Sequence, residues 1–437
     1  MNSVVIDLSG RSLSHTELAK EATSRGNVSL SENSWSLCSA GDRLYSIART
    51  YLMLERGFPT LFCQLEDKDE LAKNALEFLQ KEIRNANGLC AFLTSGSTGL
   101  PKLVVHKIDS LREASRKITQ RHPDIAGKRL HHLFPENYMA GILNSTVVPL
   151  LTNGSILIDY KFDFRSSFTL FDRANQFESE YAWLSPSMLS AITSQALRAR
   201  NQLPPWHVIM SATGPLTQSV RDQSYAAMGI PVINTFGTTE SLFISAEAQY
   251  GAHVSCGFPL DGVEPSIELI DDEQSHDGSG PLRIKSDTNA LYIFEGYKDS
   301  SGGVNFKELR SFPMNQLLTG DLCIISEFGI QLVGRTDDVV VLGGLNVSLS
   351  KVEEVARQFR DVIEVCASAP FGGAISSLIL YFETAPNVNF SENDFQKYLV
   401  SKLGIDSTPR RLICMNLPKT ANGKVDRVRL RKDLNLR

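Results

Sequence analysis

The chain of 437 residues is predicted to be an α/β protein with a large N-terminal domain of layered α/β subdomains, residues 1–334, and a small α+β C-terminal domain, residues 335–437. Three observations point there. Strand-like apolar runs alternate with segments of helical periodicity, which favours sheets that are at least partly parallel. From about Val254 the texture changes to short strands and turns, so a β-rich subdomain is expected over about 254–334. After Gly334 comes DDVVVLGGLNV, a strand pair pinched by Gly343–Gly344, followed by one helix and further β segments.

Each element has a local cause. Cys90–Leu93, Gly154–Ile158, Trp206–Met210 and Ile230–Asn234 are short apolar runs bounded by Gly, Pro or Asn and read as strands, while Leu216–Met228 has helical periodicity. Beyond Val254, turns are marked by Gly257, Pro259 and Gly262, then Gly278–Pro281, then Gly302–Gly303, and the polar stretch Asp271–Gly280 reads as an exposed loop. The last predicted helix is Leu349–Arg360. No internal repeat or low-complexity tract interrupts this order.

The length exceeds what one hydrophobic core usually serves. A content of 42% hydrophobic and 21% charged residues is that of a folded globular protein. A formal charge of −5, with no Lys/Arg run interleaved with aromatics, argues against nucleic acid as a partner. Seven scattered cysteines without a C-x-x-C pair read as thiols of a reducing compartment rather than a zinc or redox site. The N-terminus has no signal-peptide pattern and no run approaches the ~20 apolar residues of a membrane span. A cytoplasmic protein is expected.

The string Thr94-Ser95-Gly96-Ser97-Thr98-Gly99-Leu100-Pro101-Lys102 follows the first of these strands. Small residues let backbone N–H groups approach phosphate oxygens, hydroxyls add donors, and Lys102 adds charge. Leu100 and Pro101 separate Gly99 from Lys102, so this is not the Gly-Lys-Ser/Thr of a P-loop NTPase. Taken alone, the loop is either an anion site or a flexible hydroxyl-rich turn.

With its neighbours, the loop resembles the signature of the adenylate-forming superfamily: acyl- and aryl-CoA synthetases, peptide-synthetase adenylation domains and luciferases. LTSGSTGLPKLVVH is especially similar to short bacterial ligases of the o-succinylbenzoate-CoA ligase type. Further motifs follow in family order. Asn234-Thr235-Phe236-Gly237-Thr238-Thr239-Glu240 resembles the second motif, Thr319-Gly320-Asp321 the third, Gly334-Arg335-Thr336-Asp337 the hinge motif, and Leu417–Arg427 the C-terminal loop with its single lysine, here Lys424.

The resemblance implies ATP, Mg²⁺ and an acceptor thiol, coenzyme A or carrier-protein phosphopantetheine. Thr94, Ser95, Gly96, Ser97, Thr98, Gly99 and Lys102 would hold the phosphates. Gly214, Phe236, Gly237, Asp321 and Arg335 would bind AMP, with the Phe236 ring on adenine where Tyr is usual and Asp321 accepting from both ribose hydroxyls. Thr239 would position the α-phosphate, Glu240 would hold Mg²⁺, and Lys424 would bridge the acid and the α-phosphate. Asp337 would be the hinge of a mobile C-terminal domain, and Gly343 and Gly344 would line the thiol tunnel. In isolation, Gly-Thr-Thr-Glu reads more often as a capped helix start, Asp321 and Arg335 as residues of ordinary turns, and Gly343–Gly344 equally as a tight hairpin.

The acid pocket is assigned to Tyr138, Gly141, Ser185, Ser211, Thr213 and Leu242. Tyr138 stands where acyl- and aryl-acid ligases often carry His. No Asp stands at the place where amino-acid-activating relatives pair the substrate ammonium, so an α-amino acid is disfavoured, and the small pocket residues leave room for an aryl or medium acyl acid. The signature loop lies nearer the start of the chain than is usual, although the family's early helix-then-strand unit is matched by Ala40–Gln64. The implied partners are a small carboxylic acid and, for a phosphopantetheine acceptor, an acyl carrier protein; a homodimer is allowed. The leading function is a two-step acid–thiol ligase, with an adenylating amide ligase and a non-catalytic nucleotide-binding regulator as alternatives.

Overall fold

The computed structural model describes residues 4–24, 33–39, 41–64, 69–95, 100–160, 162–163, 166–197, 202–251, 253–268, 278–298, 303–308, 315–336, 339–342, 345–369, 378–385, 388, 390–405, 407–419, 425–427 and 429–430. The chain divides into two units, one of residues 1–266, 283–318 and 325–331, the other of 267–282, 319–324 and 332–437.

The first unit carries two sheets. The larger runs in the order Phe258–Pro259, Leu242–Ala246, Val232–Thr238, Val208–Ser211, Tyr181–Leu184, Arg129–His132, Ser155–Ile158, Val5–Ile6 and Ser12–Leu13. From Val232–Thr238 to Val5–Ile6 the neighbours are parallel, so these strands are covered on both faces and read as near-continuous apolar runs. The strand Arg129–His132 lies between the next two strands of the chain, Ser155–Ile158 on one side and Tyr181–Leu184 on the other. A reversal of this kind opens a crevice outside the carboxyl ends of the strands, where open α/β sheets bind ligands.

The second sheet of this unit runs Val304–Glu308, Tyr292–Lys298, Pro101–Lys107, Leu89–Ser95, Thr60–Phe62 and Ser36–Cys38. Its core is formed by Leu61, Leu79, Ala91, Leu103, Val105 and Phe294, with Phe78 meeting Phe294 edge-on at 5.0 Å between ring centroids.

Helix ends follow local chemistry. Within Ala40–Gln64, a helix Arg43–Arg56 and a strand Thr60–Phe62 form, as expected. Asp42 caps the helix by accepting from the Tyr45 N–H, and Gly57, at φ 71°, ends it through a bond to the Met53 carbonyl. The helix expected over Leu216–Met228 begins at Gln218, because Pro215 precedes Thr217, whose hydroxyl accepts from the Val220 N–H at 3.3 Å.

The expected β-rich subdomain contains strands and turns and no α-helix among its described residues. Its strands, however, are shared out. Phe258–Pro259 joins the nine-stranded sheet, Tyr292–Lys298 and Val304–Glu308 join the six-stranded sheet, and Val263–Ile267, Gly280–Ser286, Gln316–Ser326 and Gly329–Arg335 follow one another in a third. The cause is the edge of the Pro101–Lys107 strand, whose free backbone groups take Tyr292–Lys298 as an antiparallel partner. Most of the loop expected over Asp271–Gly280 lies outside the described residues, and Gly280 itself begins a strand.

In the second unit the expected strand pair is Val339–Leu342 against Leu345–Ser348, antiparallel. The helix that follows is Leu349–Arg357, with Ser348 as its cap accepting from the Lys351 N–H; it stops one turn before Arg360. A three-stranded sheet of Val362–Ser368, Ile379–Thr384 and Arg411–Cys414 packs with this helix and with Glu392–Leu403. Its core holds Val352, Leu380, Phe382, Phe395 and Leu399. No helix among the described residues is long and apolar enough to cross a membrane.

Candidate functional site

The signature loop joins two antiparallel strands, Leu89–Ser95 and Pro101–Lys107, in a register that sets Thr94 opposite Lys102. Both residues are half-buried. Gly96, Ser97, Thr98 and Gly99 lie outside the described residues, as do Asp337, Gly343, Gly344 and Lys424.

The second motif is strand, turn and strand rather than a capped helix start. Asn234–Thr238 lies on Val232–Thr238, and the chain returns along Leu242–Ala246. A bulge between Phe236 and Gly237 brings the two strands so close that a Cβ on Gly237 would sit 2.2 Å from the Leu242 carbonyl oxygen. Leu242 itself is left-handed, at φ 58°. Phe236, Thr239 and Glu240 are half-buried at this turn.

Four hydrogen bonds hold the turn. The Ser241 N–H donates to Thr238 Oγ1 at 3.0 Å, and the Ala290 N–H donates to the Glu240 carbonyl at 2.7 Å. Thr288 Oγ1 donates to the Ser241 carbonyl at 3.2 Å, and His106 Nε2 lies 2.7 Å from the Thr239 carbonyl. His106 is on the same strand as Lys102. Burial holds its imidazole down to about 4, so the ring is neutral near pH 7. A carbonyl only accepts, so Nε2 must carry the proton.

Of the residues assigned to the acid pocket, Ser185 and Ser211 stand at the carboxyl ends of two parallel strands. Ser185 follows Tyr181–Leu184 and is buried; its hydroxyl caps the helix Pro186–Ala196 by accepting from the Met188 N–H at 3.2 Å. Ser211 ends Val208–Ser211, and its buried hydroxyl has no hydrogen-bond partner among the described residues. Thr213 and Gly214 follow; Thr213 is a β-branched residue at φ 72°, a strained backbone state that persists only where the surroundings impose it. Tyr138 is half-buried and precedes the helical turn Met139–Ile142. In Gly141, a Cβ would meet the Pro135 carbonyl oxygen at 2.0 Å, so close backbone packing already accounts for the glycine.

Beneath this edge lies a buried polar cluster that sequence reasoning missed. Arg173 Nε lies 2.7 Å from Asp159 Oδ1, His131 Nε2 lies 2.6 Å from Asp159 Oδ2, and Arg43 donates to the Asp159 carbonyl at 2.5 Å. Burial alone would raise the Asp159 carboxyl, but the bonds from His131 and Arg173 outweigh it and hold the group below its ordinary value. The cluster fixes the strand ends from which the Tyr138 loop departs.

In the second unit, Asp321 lies on Gln316–Ser326 and is buried, and Arg335, the last residue of Gly329–Arg335, donates from Nη1 to Asp321 Oδ1 at 3.0 Å. A Cβ on Gly320 would sit 2.4 Å from the same guanidinium. The loop that contains Lys424 is anchored at its root. Lys419 bridges Val425, the Asp426 N–H donates to the Pro418 carbonyl at 2.7 Å, and Arg427 Nη2 donates to Glu353 Oε2 at 2.7 Å.

No group of three or more His, Cys, Asp or Glu among the described residues could hold a metal ion. Mg²⁺ uses one or two carboxylates and takes its other ligands from phosphate and water, and the half-buried Glu240, on a turn held by hydrogen bonds, has the chemistry of one such carboxylate.

The architecture is that of the adenylate-forming enzymes: ATP-bound MatB from Rhodopseudomonas palustris superposes with a TM-score of 0.75 at 17% identity, over 99% of this chain and 95% of that one. A family model described as AMP-binding enzyme matches residues 43–297, more than half of the chain, and the chain belongs to this family. Among relatives, a malonate–CoA ligase of Arabidopsis thaliana is 24% identical over 379 residues, covering 78% of this chain and 60% of that protein. A 2-hydroxy-7-methoxy-5-methyl-1-naphthoate–CoA ligase of Streptomyces carzinostaticus is 26% identical over 388 residues, covering 84% and 66%. The chain spans 60–63% of the length of the first curated relatives it matches.

Proposed function

We propose that this chain is an ATP-dependent acid–thiol ligase that converts a carboxylic acid to its acyl-adenylate and then to a thioester of coenzyme A or carrier-protein phosphopantetheine. One observation carries the reading: the strand that leaves the phosphate loop with Lys102 touches, through His106, the turn that presents Thr239 and Glu240. A phosphate-binding loop and a carboxylate for a metal are thereby built into one framework.

Attack of a carboxylate on the α-phosphate brings two anions together, so catalysis rests on positioning and charge neutralisation rather than on a protein nucleophile. Thr94, Ser95, Gly96, Ser97, Thr98, Gly99 and Lys102 hold the departing pyrophosphate, and Thr239 orients the α-phosphate. Glu240 would hold Mg²⁺, which when bound would supply positive charge against the phosphates. Lys424 bridges the acid and the α-phosphate; Phe236, Gly237 and Gly214 hold the adenine end, and Asp321 and Arg335 the ribose. Tyr138, Gly141, Ser185, Ser211, Thr213 and Leu242 line the acid pocket at the crevice of the parallel sheet, with the unpartnered Ser211 hydroxyl as a polar contact for an aryl or medium acyl acid. Asp337 is the hinge about which residues 335–437 turn between the two half-reactions, and Gly343 and Gly344 line the thiol path.

The test is pyrophosphate release across a panel of aryl, acyl and amino acids, repeated with coenzyme A, carrier protein and amines as acceptors. Thioester formation with an aryl or medium acyl acid is the expected result, and Lys424→Ala should nearly abolish release while ATP still binds. A full-rate Lys424→Ala enzyme sinks the mechanism, and amide formation without thioester sinks the choice of acceptor.

A further inference from the structure

We infer that His106 is a positioning residue that sets the Thr239–Glu240 turn, holding the carboxylate of Glu240 in register with the phosphate loop. This rests on the reading of Glu240 as the metal carboxylate given above.

The bond from His106 Nε2 to the Thr239 carbonyl spans 133 residues of sequence. It ties the start of the turn to the phosphate-loop hairpin, while Ala290 and Thr288 tie its middle and end to the segment before Tyr292–Lys298. That segment is itself bonded to the His106 strand: the Leu291 N–H donates to the Val105 carbonyl at 2.8 Å, and Tyr292 is registered with Val105. The carbonyls of Thr239, Glu240 and Ser241 are thus all held, directly or through the segment 288–291, by the strand that follows the loop.

His106 is fully buried, opposite Cys90 in the hairpin register and edge-on to Phe92 at 6.3 Å between ring centroids. Its ring has no freedom to turn away from the turn. A strand would pack here with Val or Leu at less desolvation cost, so the imidazole is explained by its hydrogen bonding to the turn, chiefly to the Thr239 carbonyl. The turn also needs such support: the bulge at Phe236–Gly237 and the left-handed Leu242 leave it in a conformation it would not hold by local preference. Groups that orient a metal ligand from behind typically contribute ~10–100-fold in metal affinity or activity.

The test compares His106→Phe, which fills the site without a donor, with His106→Gln, whose amide restores one, in the full chain. Amide hydrogen exchange of the segment 238–242 is the first readout, because it needs no turnover. Phe should speed exchange there by about tenfold, the worth of one lost hydrogen bond, while Val208–Ser211 stays at the wild-type rate; Gln should stay near wild type throughout. The second readout is acid-dependent pyrophosphate release. Phe should raise the Mg²⁺ concentration for half-maximal rate by ~10–100-fold with the KM for the acid within about twofold, and Gln should recover most of the loss.

Wild-type exchange at 238–242 in the Phe variant overturns the proposal, as does a Gln variant as damaged as Phe. Should Phe not fold, His106→Asn replaces it: its shorter amide does not reach the carbonyl, so Asn must loosen the turn where Gln does not. If the wild-type protein releases no pyrophosphate with any acid, the ligase reading falls, and the exchange comparison still decides the role of His106.

Discussion

Arg335 Nη1 and Asp321 Oδ1 are 3.0 Å apart, joining the end of one strand to the middle of another in the same unit. The carboxylate has about four lone-pair sites, and the bond to arginine fixes the plane in which they lie. Asp321→Asn keeps the shape but replaces one acceptor oxygen with a donor. AMP binding measured by calorimetry should weaken by about 10–100-fold, the range for hydrogen bonds to a charged group. Unchanged affinity would remove Asp321 from the nucleotide site.

Glu353 holds Arg427, three residues beyond Lys424. It is buried on the helix Leu349–Arg357, accepting from Arg427 at 2.7 Å through one oxygen and from the Ala367 N–H at 2.8 Å through the other. Glu353→Ala removes both acceptors at once. Denaturant unfolding should show a loss of about 1.5–3 kcal/mol, and pyrophosphate release should fall further than ATP binding, because Arg427 is only three residues beyond Lys424. A variant with normal stability and a normal rate contradicts this account of the loop.

How far the sequence could be read depends on the range of the interaction. The second motif was legible as residues in order, but Gly-Thr-Thr-Glu also carries the local signature of a helix start. What decides for a strand and turn is the return strand Leu242–Ala246 and the bulge at Gly237, which are not local preferences of those four residues. The helix Gln218–Met228 was legible nearly to its ends because its cap and stop, Thr217 and Gly229, are adjacent in sequence. His106 was not legible. From Leu103 to His106 every residue is buried, so the strand has no alternation to mark one side chain as different, and its partner lies 133 residues away. The β-rich stretch was legible as strands but not as sheets, because an edge on Pro101–Lys107 chooses two of them.

Stability should fall on acidification, with a sign set by buried histidines. Burial is the first cause of the lowered values of His106, His131 and His132, in His131 against the opposing pull of Asp159. A histidine depressed in the fold binds its proton more readily when unfolded, so the fold is favoured above the unfolded value of ~6.5 and loses that advantage as pH falls towards the folded one. For His106, held at about 4, the loss is on the order of 3 kcal/mol by pH 4. Urea midpoints at pH 7.5, 5.5 and 4.5 should decline steadily, and His106→Gln should flatten the profile. A wild-type midpoint independent of pH over this range contradicts the assignment.

Gly237 separates a structural need from a chemical one within the second motif. Its φ is not left-handed, so an alanine there meets no intrinsic backbone penalty; the obstacle is the Leu242 carbonyl oxygen 2.2 Å from the new Cβ. Neither partner is a flexible side-chain tip, and the carbonyl belongs to a residue already at φ 58°. The strands must therefore part at the bulge, at a cost of about 1–3 kcal/mol by analogy with overpacked cores. Parting them moves Phe236 and the Thr239–Glu240 turn, so Gly237→Ala should weaken AMP binding and raise the Mg²⁺ requirement together. Glycine at 214 provides the contrast, since its nearest neighbour to a new Cβ is Pro186 at 3.5 Å, ordinary contact. Gly214→Ala should leave the unfolding midpoint within about 0.5 kcal/mol, the usual range for substitutions that meet no such obstacle, and equal destabilisation by the two alanines would show that the bulge is not what requires Gly237.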